Sequence, residues 1–189
     1  KIVKTDSGKR LIENIDKVHN ADFSVIVYNF LDILSHARTE TQIIRDLAED
    51  EAAFRSLTRS WFEHSDLLEL MRLLAERGHT IIITSDHGTI QVDNPVRVQG
   101  DRATSSNLRY KTGRNLGFNQ KEVFAITKPE LAHLPKSNIT STYIFAYNRD
   151  FFVYPNNTNQ FVRYYNNTFQ HGGISMEEMI VPFLVLKPR

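Results

Sequence analysis

Thr80-Ile81-Ile82-Ile83-Thr84-Ser85-Asp86-His87-Gly88 is an apolar, β-branched run that stops abruptly at an acid, an imidazole and a glycine. Its uninterrupted apolar centre predicts a parallel strand covered on both faces, and Gly88 lets the chain turn sharply just past the strand's end. Asp86 and His87 then stand at a carboxyl edge, where open α/β sheets bind their ligands. Adjacent Asp and His side chains leaving a turn could reach one metal ion. An ordinary strand-to-turn junction looks the same, so the rest of the chain has to decide.

Two other places offer ligands of the same kind. In Phe23-Ser24-Val25-Ile26-Val27-Tyr28-Asn29-Phe30-Leu31-Asp32-Ile33-Leu34-Ser35-His36, a second strand-like run leads into Asp32 and His36. Near the C-terminus stands Phe169-Gln170-His171-Gly172-Gly173. If the chain after Phe30 is helical, Asp32 and His36 are i and i+4, with Cβ atoms roughly 6 Å apart on one face. A strand would spread them by about 13 Å. The helical reading is the one that lets a single cation bridge the pair.

Composition bounds the function. The 189 residues are 41% hydrophobic and 24% charged, enough for one sizeable core and against disorder. A net charge of +1 gives no general preference for nucleic acid or membrane, so an anion site needs local clustering. No apolar run approaches a membrane span, and no signal peptide opens the chain. The absence of cysteine excludes disulfides and thiolate metal sites, and fits a cytoplasmic protein. Because the chain starts at Lys1 within ordered-looking sequence, the expectation is a piece of a longer protein.

In chain order, Leu11, Ile12, Ile15 and Val18 predict a short amphipathic helix. From Thr41 to Gly78 the spacing is helical, with Ser65 as an N-cap and Gly78 as a stop. Strand, helices and strand predict a right-handed crossover, hence a parallel pair from 23–28 and 80–84. Residues 89–99 alternate. The polar stretch from Gly100 to Leu116 carries Arg102, Arg109, Lys111 and Arg114 against the single acid Asp101, which reads as an anion-binding loop or as a solvated surface loop. Runs at 122–126, 141–147, 151–154 and 161–165, separated by Asn-rich turns, predict antiparallel hairpins. Ser175-Met176-Glu177-Glu178 has the capping-box form, and 180–186 reads as a final strand.

Three His and two Asp without a thiolate suit zinc or manganese better than calcium or magnesium. His19, His64, His79 and His133 have no acidic partner at useful spacing. The order Asp-x-x-x-His, then Ser-Asp-His-Gly after a strand, then His-Gly-Gly before a Glu and a Val-Pro strand resembles the alkaline phosphatase superfamily. Within it the chain resembles PglZ domains, as found in the C-terminal part of PorX-type two-component response regulators of type IX secretion in Bacteroidetes.

The resemblance implies an α/β fold for residues 1–189: an alkaline-phosphatase-like mixed sheet flanked by helices, with a smaller antiparallel hairpin region, forming the C-terminal part of one PglZ domain. It implies two divalent metals, zinc or alternatively manganese, with Asp32, His36 and His171 on the first and Asp86 and His87 on the second. The family's nucleophilic Thr or Ser and a further Asp have no matching position here. The implied activity is metal-dependent phosphoester hydrolysis, with a nucleotide-like diester as substrate and Arg109, Lys111, Arg102 and Arg114 contacting phosphate. The other implied role is a zinc-stabilised, non-catalytic interaction module of a response regulator, with secretion machinery, a sigma factor or a second copy as partners.

Overall fold

Leu67, Leu68, Leu70, Met71 and Leu74 recur at intervals of three and four, and they fold as helix α6 (Asp66–Glu76). One of its free N-terminal N–H groups is met by Ser65, whose Oγ accepts from the Leu68 N–H. The computed structural model describes residues 5–100, 104–136 and 138–188. The chain divides into two compact units, Lys1–Thr84 with Pro182–Arg189, and Ser85–Val181.

The first unit carries α1 (Thr5–Glu13), α2 (Ile15–His19), α3 (Phe30–Glu40), α4 (Gln42–Leu47), α5 (Glu51–Glu63) and α6. Ile15, Leu70 and Leu74 are buried together, and Leu11, Ile12, Val18, Ile26, Tyr28 and Ile81 pack on them. Strand β1 (Ile81–Thr84) pairs antiparallel with the last strand, β9 (Phe183–Leu186), Ile81 standing opposite Leu186. The parallel partner expected at 23–28 is not formed: residues 23–27 carry no strand and Tyr28 makes only an isolated bridge. Their alternation serves the helical core instead, with Ile26 and Tyr28 packed inward while Phe23 and Val25 are 80% and 73% exposed. Nor is β1 covered on both faces, since Ile82 and all four residues of β9 are exposed. A single mixed central sheet is therefore not assembled by the described residues; the architecture is α/β with several small sheets.

The second unit holds β2 (Ile90–Val92) antiparallel to β8 (Thr168–Gln170), and β3 (Asn94–Arg97) parallel to β7 (Asp150–Val153). A three-stranded antiparallel sheet places β6 (Ser141–Ala146) between β4 (Tyr110–Arg114) and β5 (Val123–Ile126). Val96, Val98, Val123, Ile144, Ala146 and Phe152 form one buried cluster. Ile90, Val92, Leu108, Phe151 and Val153 form another.

Three local expectations are corrected here, the first being that 151–154, expected in an antiparallel hairpin, pairs parallel with β3. Residues 161–165 lie in a helix, α7 (Thr158–Tyr165), because Phe161, Val162 and Tyr165 meet the second cluster together only at helical spacing. The stretch 100–116, expected to be a loop without structure, contains β4. The last helix, α8 (Met176–Met179), begins where the capping-box sequence placed it. Among the described residues no helix is long and apolar enough to cross a membrane.

Candidate metal centre

Asp32 and His36 sit on the outward face of α3, one helical turn apart, with 3.4 Å between Asp32 Oδ1 and His36 Nε2. Two ligand atoms at 2.0–2.2 Å from a tetrahedral ion stand roughly 3.3–3.6 Å apart, so the pair already has a ligand-to-ligand spacing. The opposite face of α3 is held firmly. Phe30 stacks on Trp61 of α5 at 4.1 Å and nearly parallel. At the other end, the buried Arg38 donates to the carbonyl oxygens of Ala48 and Glu49. Arg45 closes the helix by donating to the carbonyls of Arg38 and Thr39. Burial is the leading influence on Arg38, followed by the neighbouring Arg45 charge, and both pull its pKa below the ordinary arginine value.

In the second unit Asp86 and His87 leave the end of β1 and enter a turn. The His87 N–H donates to Asp86 Oδ1 at 3.1 Å, and His87 Nδ1 lies 3.0 Å from the Gly88 carbonyl oxygen. A carbonyl only accepts, so the ring proton is assigned to Nδ1 and the lone pair to Nε2. That Nε2 faces Asp86 Oδ1 at 3.8 Å. Two acceptors at this separation are too far apart for a hydrogen bond and within reach of one shared cation. Orienting a histidine through its second nitrogen is the usual support of a metal ligand. The His171 ring stacks on His87, centroids 3.9 Å apart and 11° from parallel. The structure thus brings Asp86, His87 and His171 together within one unit, and Asp32 with His36 within the other.

The expected phosphate-binding set changes. Arg109 is fully buried, donating through Nε and Nη2 to Glu178 at 2.9 and 2.8 Å and through Nη1 to the carbonyls of Tyr147 and Asp150. Lys111 is 1% exposed, its Nζ donating to the Ser105 carbonyl and lying 4.9 Å from the Tyr154 ring centroid. Burial lowers its pKa to about 8. Arg109, just before β4, and Lys111, within it, are both turned into the unit's interior, so neither side chain faces solvent and neither is placed to meet a phosphate as expected. Arg114, at the end of β4, is exposed, and Arg102 lies outside the described residues.

Two residues escaped the sequence reading. Glu178 is buried and accepts from Gly173 N, Ser175 N and Arg109. Burial pushes its carboxyl pKa up, but the Arg109 hydrogen bonds and charge, with the backbone donors, win and hold it below the ordinary glutamate value. Asn107 donates from Nδ2 to the His171 carbonyl and accepts the N–H groups of Arg109 and Tyr110 at Oδ1. The capping-box pattern pointed to Glu178 as a helix-start residue only.

Compared with protein families, residues 2–186 match the BREX system PglZ alkaline phosphatase-like domain. The chain belongs to the PglZ family. None of the curated proteins matches it. The donor types of the expected ligands, within each unit, are carboxylates and imidazoles, which suit a divalent transition metal.

Proposed function

We propose that this PglZ domain is the metal-binding part of a phosphoesterase, with Asp32, His36 and His171 holding one divalent ion and Asp86 and His87 a second. The observation that carries this reading is the orientation of His87: its Nδ1 is engaged by the Gly88 carbonyl while its Nε2 faces an Asp86 oxygen. Family membership makes hydrolysis of a phosphate ester the natural chemistry for such donors. Zinc is the proposed metal and manganese the alternative, since imidazole favours both over calcium. A bound divalent ion lowers the pKa of an attacking hydroxyl and neutralises charge on phosphoryl oxygens. The chain's own residues hold that charge in place: α3 presents Asp32 and His36, and the turns after β1 and β8 present the other three.

The proposed substrate is a phosphodiester of nucleotide type, with Arg114 and Arg102 as the remaining anion contacts. In this reading the nucleophilic Thr or Ser is not among residues 1–189, so the chain alone binds metal without turnover. The proposed setting is the output domain of a PorX-type response regulator. The test is hydrolysis of bis-p-nitrophenyl phosphate by the full-length protein, stripped with EDTA and reloaded with zinc or manganese. Turnover lost on stripping and restored on reloading is expected. Stoichiometric metal without turnover by the full-length protein would replace this reading with the zinc-stabilised interaction module.

A further inference from the structure

The His87 and His171 turns come from distant parts of the sequence, yet both are hydrogen-bonded to the same residue. The Gly173 N–H, two residues after His171, donates to Glu178 Oε1 at 2.9 Å. The Gly88 N–H, one residue after His87, donates to the Glu178 backbone carbonyl at 2.8 Å. Both approaches exclude a side chain: a Cβ on Gly88 would lie 1.9 Å from the Glu177 carbonyl oxygen, and one on Gly173 would lie 2.6 Å from Glu178 Oε2. Glu178 itself cannot shift, because Arg109 grips both of its carboxylate oxygens, and the two side chains are 1% and 0% exposed.

We propose that Glu178, clamped by Arg109, is the positioning residue that sets the spacing of the His87 and His171 imidazoles. It touches neither ring. It acts through the backbone of both turns, the side chain holding one and the main chain the other, so a change in its length or charge moves the two imidazoles relative to each other. An ion pair used only for stability would not need to meet both turns. The proposal rests on the metal reading of these imidazoles, but its first readout does not.

That readout is ring stacking in the metal-free protein. His87 and His171 should show mutual ring-current shifts and a ring-to-ring nuclear Overhauser effect in the wild type, lost in Glu178→Gln. The second readout is titration with Co²⁺ alone, where the d–d spectrum should change and affinity should fall roughly 10- to 100-fold, the usual effect of losing an outer support of a ligand. Arg109→Met/Glu178→Gln removes the buried charge together with its partner and supplies a folded variant if Glu178→Gln does not fold. Val123→Ala, in a separate core cluster, controls for lost stability and should leave stacking and Co²⁺ spectrum intact. Folded Glu178 variants with wild-type stacking overturn the proposal. A wild type that shows the stacking but takes up no Co²⁺ overturns the metal reading and leaves the positioning role standing, so the two failures are distinguishable.

Discussion

Four N–H groups converge on the carboxylate of Glu178, two from Arg109 and one each from Gly173 and Ser175. They stabilise the charged form, so its folded-state pKa lies below its unfolded value. Such a group contributes stability above the unfolded pKa and loses it as pH falls through the folded one. Thermal denaturation should therefore show an acid limb below the ordinary glutamate range that flattens in Arg109→Met/Glu178→Gln; equally steep limbs would assign the acid sensitivity to other carboxylates. Lys111 has the opposite sign. With a folded pKa of about 8, below its unfolded value, its charged form opposes folding at neutral pH, and stability rises as pH climbs from about 8 toward the unfolded value. Lys111→Met should be more stable by on the order of 1 kcal/mol at pH 7, an apolar side chain replacing a buried cation, and should lose that alkaline rise. Destabilisation at pH 7 would mean that the Ser105 hydrogen bond outweighs the buried charge. The five proposed ligands were legible because they are adjacent in sequence, one helical turn apart, or next to a double glycine. Arg109 with Glu178 was not, since 69 residues separate the partners and no spacing rule reaches that far.

At the scale of elements, α8 is a single turn whose carbonyl end is pressed against the turn after β1. The contact leaves no room for a Cβ on Gly88, so Gly88→Ala should destabilise by about 1–3 kcal/mol in chemical denaturation, the range for forced overpacking. The same substitution should reduce metal affinity. A neutral Gly88→Ala would show that the turn relaxes away from α8 without consequence. Helical runs such as α6 were legible because a 3–4 spacing of leucines has one reading. Phe161, Val162 and Tyr165 misled because aromatic, β-branched runs favour strands locally, whereas the cluster around Phe151 and Val153 accepts them along one helix face. Lys111 misled through its charge: a basic residue reads as surface, and only pairing of β4 with β6 reveals that it points inward.

Across the whole molecule the proposed ligands are divided, Asp32 and His36 in the unit that contains α3, and Asp86, His87 and His171 in the unit that contains β8. An ion held by these residues in the native state alone would stabilise that state by mass action. Zinc at a hundredfold its dissociation constant should add about 2.7 kcal/mol, read as a higher Tm that EDTA abolishes. An unchanged Tm would mean that the ion contributes nothing to the fold. The mixed sheet was the least legible feature. Its strands were read from apolar runs, but β1 and β9 keep apolar side chains exposed, and no run of residues declares which strand will pair with it. The most direct test of the central claim is zinc and manganese content per chain, measured by elemental analysis after dialysis against trace metal. Asp32→Ala and His171→Ala should each lose at least one equivalent relative to the wild type, while His64→Gln keeps the full complement; unchanged metal content in both ligand variants would contradict the account.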